Sequence, residues 1–218
     1  MNFEWSAVTS ALPELLRGLR LTIFISIIGL CGGLVVGTLA GMARTYSRGL
    51  LSALAQGYIG LIRGTPIVVQ VMFIYFALPI IAGIRMDGVT AAILTIIINS
   101  GAYIAEIVRG ALQAVPPGLS EAGLSMGLPF SRVLAYIVGP LAFRLAIPPL
   151  GNQIIASVKD TSLFLVIGVG ELTRQGQEIM AENFRAVEIW SAVAVIYLLV
   201  VSVIAVALRL LERSLRFP

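Results

Sequence analysis

The sequence predicts an all-α integral membrane protein with five transmembrane helices, organised as a single transmembrane domain over residues 1–218. Three observations carry that prediction. The chain is 58% hydrophobic and only 12% charged, whereas a soluble domain carries about 25% charged residues. Its mean hydropathy is +0.99. Its apolar runs are long enough to cross ~30 Å of hydrocarbon at ~1.5 Å per residue, and they lack the strict alternation of barrel strands. The sequence pI near 9.6 reflects the excess of arginine that marks cytoplasmic loops of membrane proteins, not a nucleic-acid surface.

Segment one, residues 21–43, carries Gly29, Gly33, Gly37 and Gly41 at a spacing of four. On a helix these form one smooth stripe that admits a second helix at close range, and static packing is favoured over a moving interface. Segment two, residues 53–83, is interrupted at Arg63-Gly64-Thr65-Pro66. Pro66 removes a backbone donor and crowds the carbonyl of Ile62. The break reads either as a kink with Arg63 snorkelling to water or as the lining of a pathway. Segment three, residues 89–108, places Asn99, Tyr103 and Glu106 four and three apart, on one helix face. A charge at the bilayer centre costs about 2.5–3.5 kcal/mol on insertion scales, which makes Glu106 a pathway candidate. The plainer alternative is a local pair with Arg109, three residues on.

The stretch 119–140, LSEAGLSMGLPFSRVLAYIVGP, is too polar to rest in hydrocarbon. Glu121 is followed by the small residues Ala122, Gly123, Ser125 and Gly127, with Leu119, Leu124 and Leu128 as an apolar side. This predicts a short, small-surfaced docking helix outside the bilayer, ended by Pro129. Segment four, residues 149–170, is expected to start at Pro148-Pro149 and contains Lys159-Asp160-Thr161-Ser162. Adjacent helix positions point about 100° apart, so the two charges need different partners. A gate or pathway is one reading, and a helix-end loop in water is the other. Residues 171–188 are polar, with surface helix and solvated loop equally open. Segment five is residues 189–208.

Five spans put the termini on opposite sides. With the C-terminus inside, the inner loops carry eight arginines (44, 48, 109, 132, 144, 209, 213, 216) and the outer loops five (17, 20, 85, 174, 185). Glu171, Glu178, Glu182 and Glu188 all fall outside in that orientation. The expectation is therefore a periplasmic N-terminus, a cytoplasmic C-terminus and a cytoplasmic 119–140 loop. The N-terminus lacks the basic start and small-residue cleavage site of a signal peptide.

The chain is not read as an enzyme. Lys159 is the single lysine and stands between Val158 and Asp160, so no phosphate-binding loop of the Gly-Lys-Ser/Thr kind exists. There is no histidine, and Cys31 is the single cysteine, which leaves no disulfide, no metal cluster and no nucleophile–base set. Glu106 and Asp160 could still carry protons, so a carboxylate-driven secondary transporter is a rival reading, although no inverted repeat is visible. A passive pore or scaffold is the other rival.

Glu121-Ala122-Gly123, Gly127, Ile137 and Pro140 resemble the EAA loop of ABC-importer permeases. That pattern is Glu-Ala-Ala, three residues, Gly, nine residues, Ile, one residue, Leu, Pro; Gly123 here stands for the second Ala and Gly139 for the Leu. Ile62–Pro66, Ile98–Glu106, Lys159–Leu163 and Glu171–Gln177 are similar to the polar amino acid permeases, and nearly the whole chain is covered. The resemblance implies a methionine-permease-like core of the type I ABC importers with a cytoplasmic coupling helix, in a bacterial inner membrane. Implied partners are two ATPase subunits, a second permease copy or paralogue, a periplasmic binding protein and membrane lipid, with no nucleic acid. It implies no cofactor in this chain, with ATP and Mg in the partner ATPase. The implied cargo is a polar L-amino acid, glutamine first, with glutamate, histidine, arginine or cystine as alternatives. By motif, Glu121, Ala122, Gly123 and Gly127 serve ATPase coupling. Glu106 and Asp160 map to the substrate cavity, with Asn99, Ser100 and Thr65 as further candidates.

Overall fold

The computed structural model describes residues 4–215, so Arg216 of the charge count lies outside the described residues. Among those residues the chain runs through α1 (Trp5–Tyr46), α2 (Leu50–Arg63), α3 (Ile67–Ala82), α4 (Gly88–Ala114), α5 (Pro117–Ser125), α6 (Phe130–Ile167), α7 (Leu172–Asn183) and α8 (Ala186–Leu215). Helices α1, α4, α6 and α8 are long and apolar enough to cross a membrane, and α2 with α3 pass the same test together, bent by 104° at their break. The break falls at Gly64-Thr65-Pro66, where the loss of the proline donor required it.

Helix α1 starts at Trp5 instead of near residue 21, and its 42 residues extend roughly 63 Å, about twice the hydrocarbon thickness. Tertiary packing accounts for the extra turns: Ala11 and Leu15 sit in a cluster with Leu172, Ile189 and Val193. Farther along, the glycine stripe meets α4. A Cβ on Gly29 would lie 2.5 Å from Ile96, and one on Gly37 would lie 2.7 Å from the Gly101 carbonyl oxygen. The stripe is a packing surface on which α1 and α4 touch nearly backbone to backbone.

Helix α6 departs most from its expected span. It begins at Phe130, and Pro148 and Pro149 lie inside it instead of opening it. Pro140 is accommodated by a π-helical turn at Leu134–Val138, just as a π turn at Phe73–Ala77 precedes Pro79 in α3. A proline ring collides with the carbonyl four residues back, and both of those carbonyls, on Tyr136 and Tyr75, sit in the widened turns. Pro129 does not end α5. That helix stops at Ser125, and Gly127, at φ +80°, turns the chain: Leu128 N–H donates to Gly123 O (3.2 Å) and Gly127 N–H to Leu124 O (2.9 Å). Pro129 instead precedes the first turn of α6.

Residues 172–183 form helix α7, fastened by Glu171 outside the spanning segments. The Glu171 side chain is 0% exposed. It accepts hydrogen bonds from the N–H groups of Thr173 (2.9 Å) and Arg174 (2.7 Å) and from the Tyr197 hydroxyl (3.1 Å). Burial pushes its carboxyl above the usual carboxylate range, and the hydrogen bonds offset only part of that. A raised folded-state pKa contributes stability that is full below the ordinary carboxylate pKa and is lost as pH rises through the raised value. Thermal unfolding in detergent is therefore expected to show wild type gaining on Glu171→Gln as pH falls from 7 to 5. A pH-independent gap between the two would contradict the burial argument.

Candidate functional site

Two features stand apart from apolar packing: a polar cluster against the middle of α4 and the knob made by α5. The cluster starts from the broken span. Pro66 cannot donate to the carbonyl of Ile62, and the Gln70 amide does so instead, at 2.8 Å, while reaching Thr65 O and Oγ1 at 3.0 Å each. Gln70 Oε1 in turn accepts from Asn99 Nδ2 (2.9 Å), which ties the break to α4. Tyr58, on the other arm, donates to Ile98 O at 2.7 Å. Gln70 is a member of the site that the sequence analysis missed; its signal is a lone amide four residues after Pro66 in an apolar run.

Glu106 is surrounded by arginines from three helices. Arg109 grips it with two bonds (Nη2–Oε2 2.8 Å, Nε–Oε1 3.3 Å), Arg44 donates to Oε1, and Arg63 stands 3.6 Å from Oε2. The local Glu106–Arg109 pair anticipated from spacing is present, enlarged by two partners distant in sequence. Arg63 also lies over the Tyr103 ring, 5.4 Å from its centroid. Asn99, Tyr103 and Glu106 therefore do share a face, turned toward α2 and α3. Ser100 points elsewhere: its hydroxyl bonds Ile96 O (2.6 Å), and it is buried against Gly33 of α1. Asp160 and exposed Lys159 end the α-helical part of α6, and among the described residues neither forms an ion pair. The 3-10 turn that follows Asp160 packs on α3, the helix that carries Gln70. No cluster of metal-ligating side chains forms among the described residues.

In α5, Glu121 and Ala122 are exposed, as are Leu124, Met126 and Gly127. Gly123 alone in that helix is buried, and a Cβ there would lie 2.8 Å from Ile137 and 3.1 Å from Val133 of α6. The spaced pattern from Glu121 to Pro140 thus describes a knob seated on the first turns of a spanning helix. A cleft of about 590 Å³, lined in part by Leu119, Arg144 and Glu212, opens beside this knob and away from the polar cluster.

A family model described as "Binding-protein-dependent transport system inner membrane component" matches residues 33–217. The chain belongs to this family. The glutamine transport system permease protein of Escherichia coli (strain K12) is 58% identical over 99% of both chains. A solved amino acid ABC transporter with histidines superposes with TM-score 0.91 at 31% identity, over 98% of this chain and 100% of that one. The MetNI methionine ABC transporter in an inward-facing conformation superposes at TM-score 0.77 and 20% identity, over 99% and 100%, and shows the shared fold. The chain is thus a multi-pass inner-membrane permease subunit of an importer, with ATP hydrolysis in a separate subunit. Membership implies ATPase, substrate-binding and second permease partners. It also sets aside the secondary-transporter and passive-pore readings.

Proposed function

We propose that this chain is the membrane subunit of an ATP-driven importer for a polar L-amino acid, with glutamine as its cargo. The observation that carries the reading is the 58% identity to a glutamine permease over almost the full length of both chains. Two permease chains, two ATPase subunits that bind ATP and Mg, and one periplasmic binding protein complete the assembly. The N-terminus faces the periplasm and the C-terminus the cytoplasm, as the eight inner against five outer arginines support. Helix α5 then meets the ATPase, with Glu121 offering charge-assisted hydrogen bonds, Ala122 and Gly127 allowing close seating, and Gly123 passing the motion to α6. The cargo moves beside Asp160, Asn99, Thr65 and Glu106, while Ser100, next to Asn99, sets the close approach of α1.

ATP-dependent uptake of labelled glutamine by proteoliposomes holding the purified assembly tests the reading. Excess unlabelled glutamine should abolish uptake, and glutamate, arginine and cystine should not. Preferred uptake of histidine would instead support the second reading, which the likeness to the histidine-containing transporter favours. Coupling has its own test in Gly127→Asp. A Cβ at Gly127 meets nothing within 4 Å in this chain, and aspartate tolerates the left-handed conformation at a cost of about 1–2 kcal/mol. The variant should therefore fold and lose ATP-coupled uptake. Full coupling in Gly127→Asp would refute the docking role.

A further inference from the structure

Two packed bodies face each other across a gap near the knob. The first is α1 with α4. A Cβ on Gly41 would lie 2.6 Å from the Ala105 carbonyl oxygen, as one on Gly37 would crowd that of Gly101, and Arg44 is paired with Glu106. The second is α5 with the first turns of α6, where Leu128 N–H closes on Gly123 O and Gly123 lies against Val133 and Ile137. Between α1 and those turns of α6 lies a cavity of about 490 Å³, with Thr38 and Met42 on one side, Ser131 and Ala135 on the other, and Val108 and Ala111 of α4 between them. A void has no packed atoms through which one wall can push the other. At the knob end the gap is bridged. Tyr46, the last residue of α1 and one turn past Met42, meets Phe130, the first residue of α6, edge to face, with ring centroids 5.2 Å apart and planes at 73°. The Tyr46 hydroxyl forms no hydrogen bond among the described residues, so the contact is made by the ring.

We propose that Tyr46 and Phe130 are positioning residues for coupled transport: their ring contact carries displacement of the α5 knob across the cavity into α1, and through the glycine stripe into α4. This rests on the importer reading above and adds a second route out of the knob, beside the seat of Gly123 on α6. Helix α4 also shares a core with α6, in which Ala111 and Val115 pack with Val133 and Val138. The ring pair is the contact addressed to α1. Coupling between distant sites travels through packed side chains joined to rigid elements, and here the rigid element is the long α1. Tyr46 is 38% and Phe130 49% exposed, so truncating either ring removes little of the core that holds the fold.

The test reads glutamine uptake and ATP hydrolysis in the same proteoliposomes, holding the purified assembly with its binding protein. Tyr46→Ala and Phe130→Ala should each retain ATP hydrolysis and lower uptake per ATP by about 2- to 10-fold, the worth of an edge-to-face pair. The double variant should be no worse than the poorer single, because both remove one contact. Tyr46→Phe keeps the ring and should couple as wild type does. Gel filtration confirms that each assembly retains its ATPase subunits. A structural role alone would lower uptake and hydrolysis together and leave their ratio unchanged. An unchanged ratio in both alanine variants, or losses that multiply in the double variant, overturns the proposal. If wild type imports histidine in place of glutamine, the cargo reading fails, and the same ratios measured on histidine still decide the role of the ring pair.

Discussion

Glu106→Ala is expected to destabilise the protein by about 1–3 kcal/mol, the cost of leaving half-buried, hydrogen-bonded charges without their partner. Among the described residues the carboxylate is the single acid paired with Arg44, Arg63 and Arg109, and its removal leaves like charges facing one another where α1, α2 and α4 meet. The cost stays below that of a fully buried pair because Arg63 is 44% exposed and water screens it. The check is the apparent unfolding temperature in detergent, with Glu106→Ala combined with Arg44→Ala as the partner measurement. The double variant should recover part of the loss, since groups sharing one network do not add. A single variant as stable as its parent would mean that the arginines are balanced by something other than Glu106.

The second large effect is expected at Gly37. Alanine there would set a Cβ 2.7 Å from the Gly101 carbonyl oxygen and 2.6 Å from Ile104 Cβ. The oxygen belongs to the backbone of α4 and cannot rotate away, so the two helices must separate, at a cost of about 1–3 kcal/mol. Gly57→Ala makes the matching control. Its Cβ would meet nothing within 4 Å in this chain, and a helical Gly→Ala change gains up to about 1 kcal/mol. Opposite shifts in unfolding temperature for the two variants are the predicted result. Equal shifts would show that α1 and α4 are not held at the observed distance.

The break at Pro66, the shared face of Asn99, Tyr103 and Glu106, and the knob at Glu121–Gly127 were legible because each depends on local chemistry. Proline lacks a donor wherever it stands, helical spacing sets a face, and small residues remain small. Pro148-Pro149 reads locally as a helix start, yet both prolines lie inside α6. The helix runs through both and begins at Phe130, beyond the π turn at Leu134–Val138 that accommodates Pro140, and such a turn has no one-residue signature. The length of α1 escaped for a related reason: its first turns are held by Leu172, Ile189 and Val193, more than 150 positions away.

The sequence alone thus determined the membrane-spanning class, the position of the break and the motif residues of the knob, since all three follow from composition and short-range spacing. Tertiary structure alone decided which arginines meet Glu106. Arg44 counted in the sequence as a loop charge, yet it joins Arg109 on that carboxylate, and Arg63 is set over Tyr103 beside them. It also decided that Gln70 repairs the carbonyl left by Pro66. The physical reason is that a charge or carbonyl removed from water must find a partner, and folding, not spacing, selects which one is within reach.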